Sequence, residues 1–417
     1  MEIAERLSLA AQGALWEADG LEPSSPRDSS RGVAGLRPGQ GRPPAVAPGP
    51  ACGGRRRSQK EGIVEVDGAT IPVAYAAAGG GRTIRLLKAM LTTACERDCL
   101  YCSFRAGRDC RRVTFKPDEM AGLYAQAHRA GLVDGLFLST GILKGGANTQ
   151  DKLIATAEIL RHRLGYRGYL HLKIMPGAEK GQVWKAMQLA DRVSVNLEAP
   201  NAARLERLAP HKGFEDELLT PLRWVEELRR EMPGRAGWRG RMPSSATQFV
   251  VGAAHETDLE ILSTSAKMLR DYGLARVYYM AFNPVADTPL EAAPAESPLR
   301  EHRLYQASFL LRDYGFDLED LPFAGDGHLP MDRDPKQAYA EEHLRDRPVE
   351  LNRAERQELL RVPGIGPRGA EAILRARREA GNLRGLEELR RLGVVAERAA
   401  PYITIHGRAT PTQMTLF

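Results

Sequence analysis

Between Gly62 and Pro284 the chain repeats one pattern six times: a short apolar run of strand type, then a stretch with helical spacing. The strand-like runs are 83–92, 135–139, 169–174, 192–196, 247–252 and 276–280, and the helical patterns include 118–130, 151–164, 182–190, 220–231 and 258–272. Successive strands joined through helices make right-handed crossovers, so the expected product is a parallel sheet with helices outside it. That constraint also says where chemistry belongs, because in parallel β/α folds the functional residues gather at the carboxyl ends of the strands.

The first strand-like run is followed at once by Cys95-Glu-Arg-Asp-Cys99-Leu-Tyr-Cys102, three thiols in eight residues. Thiolates hold iron–sulfur clusters, and a [4Fe–4S] cube that only carries electrons uses one on each iron. Three thiols leave one iron open to a small molecule, as a catalytic zinc keeps a position that a structural zinc fills. Two other readings stand beside this one. A structural zinc would need a fourth donor such as Cys110, although its separation from Cys102 fits no usual knuckle. Alternatively, the three thiols pack as small buried apolar groups.

Spacing and placement resemble the radical S-adenosylmethionine (radical SAM) superfamily, whose hallmark is Cys-x3-Cys-x2-Cys with an aromatic before the last cysteine, here Tyr101. The resemblance implies a partial (β/α)6 TIM-like barrel, a [4Fe–4S] cluster on Cys95, Cys99 and Cys102, and SAM chelating the open iron. It also implies a low-potential electron donor and a 5′-deoxyadenosyl radical that takes hydrogen from the substrate. Cofactor-binding candidates follow at the strand ends. Ser139-Thr140-Gly141 stands where these proteins often have Gly-Gly-Glu, with the glutamate missing; a plain turn is the alternative. Asn196 and Glu198 reach the mouth, or Glu198 helps cap the helix near Asn201. Gly252 resembles the glycine-rich strand end that backs adenine, with an N-cap at Thr257 or Asp258 as the alternative account of the polar residues that follow. His171 and Lys173 share one face of the third strand, pointing inward or into a satisfied core. No catalytic side chain is assigned.

Composition sets the remaining limits. With 417 residues and 43% hydrophobic content the chain can bury a sizeable core and divides into two or more units. Five cysteines, three of them clustered, do not form a disulfide framework, and a reducing compartment is expected. No apolar run has the length of a membrane span and the N-terminus lacks a signal-peptide pattern, so the expectation is a cytoplasmic protein without membrane contact. The charge of +6 is uneven: residues 351–417 hold twelve Arg, no Lys and seven Glu. The C-terminal end is thus the expected contact for a polyanion.

Five segments are expected. Residues 1–60 hold a short helix over 1–17 and a Pro/Gly/Arg-rich stretch unable to form a core. Residues 61–290 form the barrel, 291–350 a helical extension with one helix over 300–315, 351–407 an all-α helix-hairpin-helix domain, and 408–417 a loose tail. In the fourth, 353–361 and 367–378 flank Val362-Pro-Gly-Ile-Gly366, which resembles the helix-hairpin-helix of DNA-binding proteins, with a second decayed copy over 386–402. Glycines there expose amides at a helix N-terminus, where Gly364, Ile365, Gly366 and Arg368 would hold phosphate; a protein-interaction hairpin is the alternative. In the tail, Gln413, Leu416 and Phe417 resemble the peptide that docks on bacterial sliding clamps.

The order of these parts over 62–407 resembles bacterial radical SAM proteins described as DNA modification or repair proteins, a family associated with uracil-DNA-glycosylase-like partners. The resemblance implies a radical SAM enzyme acting on DNA. A radical SAM RNA-modifying enzyme and a non-catalytic iron–sulfur redox sensor that binds DNA are the other readings.

Overall fold

The computed structural model describes residues 3–14, 61–66, 69–78 and 82–409. The expectations for the stretch after the first helix and for the terminal peptide with Gln413, Leu416 and Phe417 lie outside the described residues. The described residues fall into two units, one within 3–256 and 267–297, the other of 257–266 and 298–409.

The first unit opens with helix α1 (Ile3–Ala14) and strands β1 (Glu61–Val66), β2 (Ala69–Ala78) and β3 (Arg82–Met90). Then come α2 (Pro117–Arg129), β4 (Gly135–Ser139), α3 (Gly146–Glu158), β5 (Tyr169–Lys173), α4 (Lys180–Leu189), β6 (Arg192–Ser194), α5 (Ala202–Glu206) and α6 (Thr220–Glu231). It ends with β7 (Ser244–Val251), α7 (Asp258–Asp271), whose first part lies in the second unit, and β8 (Arg276–Ala281). The eight strands form one sheet in sequence order. From β3 to β8 all neighbours are parallel, the expected six-fold β/α architecture. β1 and β2 add an antiparallel hairpin that the sequence pattern did not reveal.

Met90 of β3 and Met280 of β8 line the same cavity, so the sheet curls until its two parallel edges face each other. Strand parity then sorts the side chains. Leu87, Leu136, Leu170 and Val193 point outward and are buried under the helices. The inward row is more polar: Lys88, Ser139, His171, Lys173, Ser194 and Gln248 are all buried. Apolar contacts among Ala74, Ala76, Leu86 and Phe137, with Ile84 and Tyr169 beside them, close the floor. α3 continues into a π-helical turn over Ile159–Arg163.

The second unit contains α8 (Pro298–Asp313), α9 (Pro335–His343), β9 (Val349–Glu350), α10 (Arg356–Arg361), α11 (Pro367–Glu379), α12 (Leu386–Arg391), α13 (Ala396–Ala399), β10 (Ile403–Ile405) and β11 (Arg408–Ala409). One core runs from Ala340 and Leu344 through Leu359, Ile365, Ile373 and Leu389 to Ile405, so 340–344 and the helix-hairpin-helix pack as one body. A small three-stranded sheet of β9, β10 and β11 accompanies the helices; its strands are too short for a periodic signal in sequence. Gly315 ends α8 with φ +68°, as expected of a glycine just past a helix. No helix among the described residues is long and apolar enough to cross a membrane.

Candidate functional site

Beyond Met90 the chain leaves the sheet and loops through the three cysteines to α2. Backbone bonds fasten this loop to the segments after β4 and α5: Glu96 N donates to Ile142 O at 2.8 Å and Leu100 N to Leu208 O at 2.7 Å. The Glu96 carboxylate accepts from Lys144 N and Gly145 N at 2.9 and 3.0 Å, tying it to the segment that opens α3. Arg97 pairs with Glu217 and donates to His211 O, and His211 Nδ1 meets the Asp98 carboxylate at 2.6 Å. Arg112 holds the loop from inside its own curve: Nη1 donates to Thr93 O and Phe104 O, both at 2.8 Å, and Nη2 to Arg105 O and Arg108 O at 2.9 and 3.2 Å. Four carbonyls with no partner in regular structure are satisfied by one guanidinium.

All three thiols line a single open-mouthed cavity of about 890 Å³, solvent at its mouth included. Cys95 Sγ accepts from Arg97 N and Ile142 N, and Cys102 Sγ from Phe104 N, each at 3.4 Å. Amide donors aimed at sulfur favour the thiolate over the thiol, as cluster ligation requires. Burial acts the other way: it pushes the Cys99 thiol up, and the Cys102 thiol up to about 12. The zinc reading needs four donors converging on one point. Among the described residues no three His, Cys, Asp or Glu side chains converge in that way. A cubane asks each thiol for a different iron, and all three thiols line this one cavity. Cys110 instead donates to Ser103 O at 3.6 Å.

Five of the seven cofactor-binding candidates from sequence share this cavity: Tyr101, Thr140, Gly141, Asn196 and Glu198. A Cβ on Gly141 would lie 2.2 Å from Ala94 O and 3.1 Å from Cys95 Cβ, so only glycine lets the end of β4 reach the cysteine loop. Ser139 and Gly252 do not line it. Ser139 is buried within the strand row, and Gly252 N donates to Glu256, itself buried and also accepting from Ala254 N. A Cβ at Gly252 would meet Glu296, so that glycine is explained by packing. Asn196 lies two residues beyond β6, which is shorter than its apolar run suggested.

Glu198 is not a helix cap. Its backbone sits at φ +63°, unusual outside glycine, held by Glu198 N to Gln248 O and Val250 N to Glu198 O at 2.9 and 2.8 Å. The strained backbone delivers the carboxylate to Lys212 Nζ at 3.2 Å, with both side chains buried. Burial opposes the charge on Lys212, yet Cys99 and Glu198 outweigh it and hold the ammonium above its ordinary value. Burial, then Glu198, pushes the Tyr101 phenol well up. Lys173 lines the cavity too, whereas His171 sits below it with Nε2 on Ser194 Oγ at 2.8 Å. Sequence reading missed Lys212, Arg97 and Gln248. Gln248 was findable as a polar residue at inward parity in an apolar strand, but Lys212 lies in an irregular segment with no periodic signal.

In the second unit, α10, the turn and α11 form the hairpin. Gly364 has φ +84°, and a Cβ there would stand 2.3 Å from Val395 O. Val395 N returns a bond to Gly364 O at 3.1 Å, which docks the first helix pair against α12 and α13. Gly366 caps α11, Pro367 opens it and Arg368 is exposed. Ile365 departs from expectation: its side chain is buried, its amide donates to Val362 O and its carbonyl accepts from Lys336 Nζ at 2.6 Å. It anchors the hairpin and is not positioned to hold phosphate. Burial holds Lys336 well below the ordinary lysine value, and its Nζ lies 4.6 Å from the centre of the Tyr314 ring.

Residues 345–400 match a helix-hairpin-helix motif model. No curated protein matches the chain. Solved structures that overlap it include methylornithine synthase (16% identity, 54% of this chain and 62% of that one, TM-score 0.43). The FeFe-hydrogenase maturase HydG from Carboxydothermus hydrogenoformans overlaps at 14% identity, 54% and 51% coverage and TM-score 0.44. The radical S-adenosylmethionine methyltransferase TsrM from Kitasatospora setae, with tryptophan and a SAM analogue bound, overlaps at 12% identity, 52% and 39% coverage and TM-score 0.36. The chain spans less than two thirds of each of these proteins, and similarity at this level carries no inference about chemistry.

Proposed function

We propose that this protein is a radical SAM enzyme that acts on DNA. The observation that supports it most is the meeting of Cys95, Cys99 and Cys102 in one cavity at the carboxyl ends of a curled parallel sheet. Cys95, Cys99 and Cys102 would hold the [4Fe–4S] cluster, and Thr140, Gly141, Asn196 and Glu198 would surround SAM. Bound together, these cofactors supply reductive cleavage of SAM to a hydrogen-abstracting 5′-deoxyadenosyl radical. The protein's own part is positioning and exclusion. Amides of Arg97, Ile142 and Phe104 stabilise charge on sulfur, and the Lys212–Glu198 pair fixes a cation beside Cys99. Met90, Phe104, Ile142, Met175 and Met280 present an apolar lining that keeps water and stray hydrogen donors out.

DNA enters this reading through the second unit. Gly364, Gly366 and the exposed Arg368 lie at the N-terminus of α11, where backbone amides and the helix dipole suit phosphate, and the local arginine excess adds sequence-independent attraction. A target base would have to leave the stack to be modified or repaired. A low-potential electron donor, a sliding clamp engaged by Gln413, Leu416 and Phe417, and a uracil-DNA-glycosylase-like protein are the partners that go with this reading, in the cytoplasm.

The test is anaerobic reconstitution, followed by SAM, reductant and DNA carrying deuterium. A change in the cluster's electron paramagnetic resonance on adding SAM, then 5′-deoxyadenosine with DNA-derived deuterium, is expected. Zinc or no metal at the thiols, with no spectral response to SAM, would refute the reading. A cluster that responds to oxidation but never yields 5′-deoxyadenosine would mark a redox sensor, and deuterium transfer from RNA alone an RNA-modifying enzyme.

A further inference from the structure

In the second unit the Gly364-Ile-Gly366 turn is held from behind by a lysine that lies outside the matched motif segment of 345–400. Lys336, in the first turn of α9, is 9% exposed and donates from Nζ to Ile365 O at 2.6 Å. Ile365 is itself fully buried, so this bond is made on the core side of the turn. A planar trans peptide points its carbonyl and its N–H in opposite directions. With Ile365 O turned towards Lys336, the N–H of the same peptide, that of Gly366, faces away from the amine at the N-cap of α11. That N–H has no acceptor among the described residues. A Cβ on Gly366 would stand 3.4 Å from Tyr314 Oη, and the Tyr314 ring centre is 4.6 Å from Lys336 Nζ, so one aromatic side chain flanks both the buried amine and the free amide.

The surroundings of Lys336 oppose one another. The Ile365 carbonyl and the face of the Tyr314 ring both favour an ammonium, whereas burial favours the neutral amine and prevails, holding the group well below its ordinary value. The charged side chains acting on it are Asp334, which caps α9, and Arg398 of α13, and these two are paired with each other. From the end of α8 comes Tyr314, whose phenol is pushed up by burial and therefore stays neutral. The start of α11 adds only Arg368, which is exposed.

We propose that Lys336 is a positioning residue for the hairpin's phosphate contact: by holding Ile365 O it aims and polarises the Gly366 N–H, and it takes up a proton when a DNA phosphate reaches that amide. The inference rests on the DNA reading and deepens it, since it makes binding at the hairpin depend on pH through a side chain that never touches DNA. A phosphate brings negative charge to the outer end of the peptide and so favours the ammonium at the inner end. The Lys336 value therefore rises on binding. Between the lowered value of the free protein and the raised value of the complex, binding takes up a proton, and affinity falls as pH rises through that window.

The test titrates the full chain with a short DNA duplex of mixed sequence at low salt, by calorimetry in buffers of different ionisation enthalpy, which counts the protons taken up on binding. Wild-type protein should take up as much as about one proton through this group, with affinity falling towards alkaline pH. Lys336→Met, which fills the same space without charge, should bind about tenfold more weakly at the acid end, the scale of a charge-assisted contact, and should lose that share of the uptake. Lys336→Arg carries its charge at every pH, so it should bind and lose the uptake too. Histidines elsewhere contribute equally to all three proteins, so the difference isolates Lys336. A side chain that only packed the hairpin would change affinity in the variants and leave the proton count alone. Binding without proton uptake in the wild type, or uptake unchanged in either variant, would overturn the proposal. Circular dichroism reports whether Lys336→Met folds; if it does not, the wild-type count and Lys336→Arg decide. Wild-type protein that binds no duplex would sink the DNA reading and this inference with it, whereas binding with an unaltered proton count would sink only the present inference.

Discussion

Removing the Arg112 guanidinium tests whether the cysteine loop is shaped by the protein before any metal binds. Its two terminal nitrogens serve four carbonyls, Thr93 and Phe104 on one and Arg105 and Arg108 on the other. Hydrogen bonds to a charged group contribute about 1.5–3 kcal/mol each. Counting one full bond per nitrogen, and taking the low end because the side chain is partly exposed, Arg112→Ala should cost about 3 kcal/mol of local stability. That corresponds to about a hundredfold more frequent opening of residues 93–108. Hydrogen exchange read by mass spectrometry on metal-free protein should show the increase in that segment and not in 169–189. Iron retained after reconstitution should fall in parallel. Arg112→Lys, which keeps the charge but not the fork, should lie between. Unchanged exchange over 93–108 in Arg112→Ala would refute the argument, because the loop would then owe its shape to other contacts.

Other outcomes follow from single contacts. Gly141→Ala puts a methyl 2.2 Å from Ala94 O and should lower iron content after reconstitution while the circular dichroism of the sheet persists. Gly364→Ala combines a left-handed backbone with a clash at Val395 O and should destabilise the second unit by at least about 2 kcal/mol in urea unfolding. Arg368→Glu should weaken duplex DNA binding at low salt and flatten its salt dependence by about one unit, without altering iron content. The Glu119 carboxyl is held below its ordinary value of 4.5 by the Lys116 amide and by Arg6. Its contribution is therefore present above that value and lost as pH falls through the lowered one, so the acid-induced drop in urea midpoint of metal-free protein should shrink in Glu119→Gln.

The parallel strands were legible because outward residues such as Leu87, Leu136, Leu138 and Leu172 are buried beneath helices, which produces dense apolar runs. β2 was not: Ala69-Thr-Ile-Pro-Val-Ala-Tyr-Ala-Ala-Ala78 is alanine-rich and contains a proline, features that speak against a strand until its neighbours β1 and β3 pair with it. The cysteines announced themselves by spacing, and their neighbours at strand ends could be ordered by parity. Lys212 could not be found in that way, since an irregular segment brings it to Glu198 and only three dimensions show the pairing. Ile365 was misassigned for the opposite reason. Its place in a Gly-Ile-Gly turn suggested an exposed amide, whereas the turn folds that residue inward onto Lys336.

One wall beside the thiols is borrowed from far away in the sequence. Ala14, at the end of α1, is buried with Met90 and Phe104, and Cys102 and Cys110 pack on the same cluster. α1 is moored there by Arg6, which donates to Thr114 O at 2.6 Å and lies over the Phe115 ring, and by the Glu5–Arg111 ion pair. The strands that build the architecture and the helix that shelters its sulfur thus come from separate stretches of the chain. Trimming residues 1–14 would uncover the Met90–Phe104 cluster against which the third thiol packs.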